Sequence, residues 1–389
     1  MTSKPEYIFV IEDKIGGVAY FNKNIIDHTS LRDNVTIKVI WVDQVDSDHA
    51  RFPDKIKADE IVRFTYAAYE NKYAVLQRLQ RLFGDGPGAV ICNDGLEMEA
   101  IYLFGARKTV YQAIHDFYNL GLAVKYGSIT DVFFSHSRLF SDVLLSADPS
   151  GIQSFWIKQG VPLPPMVTPR VDGRPLNIVF AGRLVEAKGV LDLYFINSLL
   201  RERKLAVHWT IMGRGPLKER LVQQWKDEKN VRFVSPDDQA GVQEILLQND
   251  LFILPTRFEG SPVTVLEALG AGLVPLVSDL PGGITETISD DIGHRIALGD
   301  ISGFADAIAN LDCDRPLLHR MSLACRALAE KDFDIRNTSN NYFSLFGQFG
   351  VLKKAHSGGL PIRIGFRLDS KWLPNFVVSF IRKKIRAFR

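Results

Sequence analysis

Cysteine is scarce: Cys92, Cys313 and Cys325 are the three in 389 residues. An odd, widely spaced set builds no disulfide framework and has no metal-ligand spacing, which points to a reducing compartment. No apolar run reaches transmembrane length, and the run after Met1-Thr2-Ser3-Lys4-Pro5-Glu6 is too short for a signal peptide. A cytoplasmic protein is expected. The absence of Gly-x-x-x-x-Gly-Lys-Ser/Thr argues against a nucleoside triphosphatase, and no His/Cys cluster suggests zinc. Asp46-Ser47-Asp48 and Asp312-Cys313-Asp314 have the Asp-x-Asp form that holds Mg²⁺ on a diphosphate, yet neither follows a strand in a nucleotide-binding context, so both read as loop acids. No metal and no cofactor are expected. Nor is there an excess of one charge: 47 Lys/Arg face 45 Asp/Glu, a net of +2, which does not describe a nucleic-acid-binding body.

What is present is a long α/β pattern. The length suits two domains. Tyr7 to Ile11, Val35 to Val42, Ala89 to Cys92, Thr109 to Ile114 and Asp131 to Ser135 read as strands, Val18 to His28 as a helix, and residues 56–83 as helical. Alternation of this kind implies parallel βαβ units. Pro162-Leu163-Pro164-Pro165 reads as a stiff linker, because proline fixes φ. The pattern then restarts, with strands at 177–181, 208–212, 231–234, 251–255 and 274–278, and helices at 189–203, 217–226, 242–248, 263–271, 301–311 and 316–330. The expected organisation is a Rossmann-like domain over 1–165, a second over 166–335, a helix over 336–350 returning to the first domain, and a tail over 351–389.

Two segments carry chemistry. In Phe258-Glu259-Gly260-Ser261-Pro262-Val263-Thr264-Val265-Leu266-Glu267-Ala268, seven residues separate two carboxylates around a Gly-Ser-Pro turn between a buried strand and a helix. Glu259 then sits at the C-terminal edge of a strand, where doubly wound sheets bind ligands, and Glu267 is placed about two turns into the helix. In Phe180-Ala181-Gly182-Arg183-Leu184-Val185-Glu186-Ala187-Lys188-Gly189, two cations follow a strand end, where they can clamp a diphosphate and stabilise charge on a departing group. Gly16-Gly17 after the first strand is either a plain turn or a close backbone approach to phosphate. Gly213-Arg214-Gly215-Pro216 is either a capped turn or a nucleotide-side loop. His115-Asp116 closes a buried strand at the ligand edge.

The first segment resembles the Glu-x7-Glu signature of family 4 glycosyltransferases, and the second resembles that family's Gly-Arg-Leu-x-x-x-Lys-Gly pattern. The resemblance implies a GT-B fold, with two facing Rossmann-like domains around a central cleft. The implied reaction moves a sugar, with retention of configuration, from a UDP- or GDP-linked donor to a hydroxyl of a glycan or lipid-linked acceptor in cell-surface polysaccharide or lipopolysaccharide synthesis. It also implies catalytic roles for His115, Arg183, Lys188 and Glu259, donor contacts from Gly16, Gly17, Gly213, Gly260, Ser261, Val263 and Glu267, and an acceptor-side role for Asp116. Ser235 stands where the family usually has glycine, which bears on the base. Two other readings remain, a sugar-binding protein on a decayed transferase and a GT-B phosphorylase.

The tail is basic. Residues 351–389 hold ten Lys/Arg and one acid, Asp369, a net of +9, which leaves −7 for the rest of the chain. Trp372, Leu373, Phe376, Val377, Phe380, Ile381, Ile385 and Phe388 recur at near-helical spacing. The segment reads either as a basic amphipathic helix seated on the inner face of an anionic membrane or as a helix packed on the body.

Overall fold

The computed structural model describes residues 4–48, 50–53, 55–148, 151–165, 173–355, 365 and 368–387. It has two compact units, one of residues 1–136, 140–157 and 339–389, the other of residues 137–139 and 158–338. The expected boundary at 165 lies further along the chain. In the structure Pro162 and Pro164 lie along the second unit, where their carbonyls accept from Gln243 Nε2 and Arg326 Nη1, both at 2.8 Å.

The first unit holds β1 (Glu6–Glu12), α1 (Gly17–His28), β2 (Thr36–Gln44), β3 (Glu60–Tyr66), α2 (Lys72–Arg81), β4 (Gly88–Cys92), α3 (Gly95–Phe104), β5 (Thr109–Ile114), α4 (Phe117–Tyr126), β6 (Val132–Ser135), α5 (Arg138–Ala147) and β7 (Ser154–Trp156). Its sheet is parallel, in the order β3-β2-β1-β4-β5-β6-β7. Strands β4, β5 and β6 are buried on both faces, which explains their unbroken apolar sequences. The expected helix over 56–83 is corrected here. Glu60–Tyr66 is an edge strand that pairs only with β2 and is largely exposed, and the helix begins at Lys72. Its charged, β-branched sequence suits a solvated edge rather than a helix.

The second unit holds β8 (Leu176–Ala181), α6 (Asp192–Glu202), β9 (Val207–Met212), α7 (Lys218–Gln224), β10 (Val231–Val234), α8 (Gln239–Leu247), β11 (Leu251–Leu254), α9 (Val263–Gly270), β12 (Val274–Ser278), α10 (Gly283–Thr287), β13 (His294–Ile296), α11 (Ile301–Cys313) and α12 (Arg315–Asp332). Its parallel sheet runs β10-β9-β8-β11-β12-β13. The strand order therefore reverses between β8 and β11, and ligands of such sheets bind outside the C-terminal ends at that point. The first sheet has the same kind of switch point between β1 and β4. The helix expected from Gly189 starts at Asp192, because Gly189 adopts φ +65° and closes a short 3₁₀ turn over Glu186–Lys188.

α13 (Ile335–Phe346) belongs to the first unit from Ser339 onward. There Phe346 meets Phe9 at 5.8 Å and Tyr111 at 5.3 Å between ring centroids, and the Tyr111 hydroxyl donates to the Leu345 carbonyl at 3.1 Å. α14 (Phe349–Leu352) follows, and Lys354 N donates to Asp131 at 2.6 Å. α15 (Asn375–Ala387) ends the described chain. Among the described residues no helix is long and apolar enough to cross a membrane.

Candidate functional site

In the second unit the two loops at the β8/β11 switch point are stitched together. Arg257 N donates to the Ala187 carbonyl at 2.8 Å, and the Thr256 hydroxyl donates to the same oxygen at 3.1 Å. Arg257 also pairs with Asp192 at 2.9 Å. Gly189 sits where an added Cβ would lie 1.9 Å from the Pro255 carbonyl oxygen, so only glycine lets the loops approach this closely. This stitching brings Lys188 to Glu259, and the two form an ion pair of largely buried side chains. Arg183 leaves the same loop exposed, with no side-chain partner among the described residues.

Glu259 leads through Gly260 and Ser261 to α9, whose N-cap is Pro262. No side chain caps this helix, so N–H groups of its first turn, beginning at Val263, remain available to an anion. Gly260 is buried and accepts from Gly283 N at 3.1 Å, while Ser261 is half-buried. Glu267 lies just over one turn into α9, not two, since it stands only four positions past Val263. It is buried, and its carboxylate accepts from Gln239 Nε2 at 3.4 Å. Burial pushes its pKa up to about 7, and the Gln239 contact only partly opposes this. Gln239 opens α8 and carried no signal in the sequence.

Gly213 closes β9 at φ +151°, and a Cβ there would fall 1.9 Å from the Gly182 carbonyl oxygen. The β8 and β9 ends are thus packed backbone to backbone. Ser235, in the position usually held by glycine, keeps a negative φ and donates its hydroxyl to the Gly213 carbonyl at 2.8 Å. Arg214 pairs with Asp237 beside it.

In the first unit Gly16 is the N-cap of α1 and Gly17 its first residue. The space where a Gly16 Cβ would stand is open. His115 is half-buried at the end of β5. Its Nε2 lies 3.0 Å from Asn93 Oδ1, and its Nδ1 lies 3.0 Å from His136 Nε2. His136 Nδ1 in turn meets the Tyr342 hydroxyl at 2.8 Å, and that hydroxyl reaches the Ile157 carbonyl at 2.9 Å. Asn93 commits its amide nitrogen to Val10 O at 2.8 Å, which leaves its oxygen facing the imidazole. These four contacts need four protons, and two neutral imidazoles with one phenol supply three. Burial favours the neutral state and holds His115 down to about 4; His136 is lowered further by burial and by the neighbouring imidazole.

Both nitrogens of His115 are therefore engaged within its own unit. Its orientation comes from Asn93 and His136, not from the adjacent Asp116. Asp116 is instead the N-cap of α4 and accepts from Asn119 N at 3.0 Å. The Asp-x-Asp pairs have local partners: Asp46 accepts from Ala68 N at 2.9 Å, Asp312 pairs with Arg315, and Asp314 caps α12.

Residues 175–314 match the family described as "Glycosyl transferases group 1". Over 164 residues the chain is 30% identical to "Glycogen synthase" of Mycobacterium tuberculosis, a match covering 41% of this chain and 39% of the relative. It is 31% identical over 175 residues to "Putative colanic acid biosynthesis glycosyltransferase WcaL" of Escherichia coli, covering 41% and 42%. These matches span less than half the length of the curated relatives. Among solved structures, Anabaena Alr3699/HepE in complex with UDP and glucose superposes with a TM-score of 0.69 at 16% identity, over 88% of this chain and 98% of that one. Residues 175–314 are thus similar to the glycosyl transferases group 1 family, and the two parallel-sheet units are those of the GT-B fold.

Proposed function

We propose that the protein is a glycosyltransferase that takes a sugar from a nucleotide-diphosphate sugar and passes it to a hydroxyl of a glycan or lipid-linked acceptor in cell-surface polysaccharide synthesis. The observation that carries this reading is the β8/β11 switch point, where Lys188, Arg183 and the uncapped start of α9 gather beside Glu259 and buried Glu267. Cations and free N–H groups suit a diphosphate. A buried carboxylate with one weak amide donor suits the two hydroxyls of a ribose, and Glu259 suits hydroxyls of the donor sugar. Arg183 and Lys188 stabilise charge on the departing nucleotide, and the sugar keeps its anomeric configuration. UDP is the favoured nucleotide, since the Anabaena neighbour was crystallised with it. In the second unit Gly213, Gly260, Ser261 and Val263 line the donor path; in the first unit Gly16 and Gly17 offer backbone to phosphate, His115 a neutral imidazole, and Asp116 an acceptor-side carboxylate. The test is a thermal-shift screen of sugar nucleotides, followed by assay of nucleotide release from the binders. Binding by one donor and release of free nucleotide on turnover is the expected outcome; no stabilisation by any sugar nucleotide would overturn the reading.

The tail supports a membrane-surface acceptor. α15 and the turn before it dock on the first unit through polar groups. Asn71 N donates to Asn375 Oδ1 at 2.8 Å, Asn375 Nδ2 to Glu70 at 2.9 Å, and Lys72 N to Asp369 Oδ1 at 2.7 Å. The Lys383 ammonium lies 4.4 Å over the Tyr69 ring. Val378 is fully buried, while Trp372, Phe376 and Phe380 are 79%, 76% and 61% exposed. A helix packed only for stability turns its aromatic residues inward. This one turns them out beside Lys384 and Lys371, which suits an anionic interface. Co-sedimentation with vesicles containing phosphatidylglycerol tests it. The full chain should bind at low salt, and Trp372→Ser/Phe376→Ser/Phe380→Ser should not; equal binding by both would reject the membrane seat.

A further inference from the structure

The second unit has a cavity at the edge of its sheet away from the donor loops. It encloses about 330 Å³ over the N-terminal halves of β8, β9 and β10, a volume in the range of small-molecule sites. Strand alternation builds it. Asn177 pairs with His208, and Thr210 with Arg232, across the parallel ladder, so these four side chains stand on one face. Strands inside a parallel sheet usually carry apolar residues on both faces, and here two rows are polar. Trp209 points to the opposite face, where its Nε1 donates to Asn197 of α6 at 2.9 Å. On the Arg232 face α8 ends, with Gln248 as its C-cap, and leaves His208 and Arg232 exposed.

Arg232 is fixed in place without being neutralised. Its Nε donates to the buried Thr210 hydroxyl at 2.8 Å, and its Nη2 donates to Gln248 Oε1 at 2.9 Å. Both acceptors are uncharged. Among the described residues Arg232 makes no ion pair, and its Nη1 makes no hydrogen bond. Lys229 stands exposed on the same lining, also without an ion pair among the described residues, and no Asp or Glu lines the cavity. Asp250, two positions past Gln248, gives its two oxygens to Arg174, each at 2.8 Å. An arginine that only guards a sheet edge extends into solvent. This one is laid along the sheet by a hydroxyl and an amide, which leaves part of its planar fork free to grip a phosphate.

We infer that this cavity binds a small phosphate monoester, with the phosphate on Arg232 and Lys229 and the hydroxyl-bearing part against His208, Asn177 and Gln248. Two cations with no carboxylate beside them favour an anion of more than one charge. Amide and imidazole groups both donate to and accept from hydroxyls. The site is distinct from the donor loops: His208 and Gly213 lie at opposite ends of β9, roughly 16 Å apart at the rise of a strand. It stands whether or not the protein transfers sugar.

Titration calorimetry on the full chain tests it, with glycerol 3-phosphate, ribose 5-phosphate and inorganic phosphate as probes. At least one ester should bind, and more tightly than inorganic phosphate. Arg232 and Lys229 are both exposed, so glutamine at either position keeps the fold. Arg232→Gln and Lys229→Gln should each weaken ester binding about tenfold. Lys188→Ala, at the donor loops, and Arg320→Gln, an exposed cation on α12, should leave it unchanged. Absence of ester binding at millimolar concentration overturns the inference, as does equal affinity in wild type, Arg232→Gln and Lys229→Gln. Loss in Lys188→Ala with none in Arg232→Gln would put the anion at the donor loops instead. Equal loss in Arg320→Gln would reduce the effect to diffuse charge, and inorganic phosphate binding as tightly as both esters would leave no role for the rest of the cavity; either result rejects the site.

Discussion

Glu267 offers the sharpest test of the donor site, because its burial and its proposed role pull in opposite directions. An ionised carboxylate that is buried and held by one amide at 3.4 Å is poorly solvated. Its pKa accordingly rises from 4.5 to about 7. A raised acid keeps its proton in the folded state while the unfolded chain has already lost it. Stability is therefore lost as pH rises from about 4.5 to about 7, by about 3 kcal/mol at 1.36 kcal/mol per pH unit. Glu267→Gln removes the titration. Unliganded, that variant should match wild type near pH 5 and exceed it near pH 8, by up to about 10 °C in Tm for a unit of this size.

Ligand reverses the preference. Ribose hydroxyls donating to the carboxylate favour its charged form, so UDP binding should draw the pKa down and expel a proton. Calorimetry of UDP binding in two buffers of different ionisation enthalpy, at about pH 6, should report release of up to one proton for wild type. Glu267→Gln should release markedly less and bind UDP more weakly. Stability of the variant equal to wild type at both pH values would refute the burial argument. Proton release unchanged in Glu267→Gln would refute the ribose role.

Other outcomes follow from neighbouring contacts. Lys188→Ala and Arg183→Ala should each lower kcat by about 10²–10³ with the fold intact; near-normal turnover in either would dismiss the clamp. Lys188→Ala alone leaves the largely buried Glu259 carboxylate unpaired and should cost about 1–3 kcal/mol in urea unfolding; adding Glu259→Gln should restore that stability without restoring turnover. His115, lowered to about 4 by burial, stays neutral in the folded state while the unfolded chain protonates. Stability should therefore fall as pH drops from 6.5 to about 4, by about 3 kcal/mol, and His115→Gln should flatten that part of an acid denaturation curve. Gly189→Ala should abolish soluble expression, since its Cβ would meet the Pro255 carbonyl in a left-handed backbone.

The second unit was legible because its central strands β11 and β12 are buried on both faces and its site lies on two short, contiguous strings. Arg183 and Lys188 are five residues apart, and Glu259 and Glu267 eight, so spacing along the chain already carries their proximity. What spacing cannot carry is the stitching between the strings. The bonds from Thr256 and Arg257 to the Ala187 carbonyl join residues 69 and 70 positions apart, and the Lys188–Glu259 pair spans 71. Gln239 was invisible for the same reason, since nothing about a glutamine at a helix start marks it as the partner of a carboxylate 28 residues on.

The first unit was read less well, for physical causes that differ by element. Edge strand β3 is polar on its exposed side, so its alternation is blurred by Glu60 and Arg63, and it merged with the helix behind it. The ring around His115 was hidden more deeply. Asn93 follows β4, His136 follows β6, and Tyr342 arrives from a helix more than two hundred residues away, each unremarkable in its own neighbourhood. Sequence adjacency singled out Asp116, but a residue after a strand and before a helix is a natural cap, and its carboxylate is spent on Asn119. The residues that orient His115 come from neighbouring strand ends rather than from the next position in the chain, because in a parallel sheet every C-terminal end opens on the same edge. That geometry also gathers Glu12, Tyr66 and Asp94, which stand at or just past the ends of three strands and which only the sheet order makes neighbours.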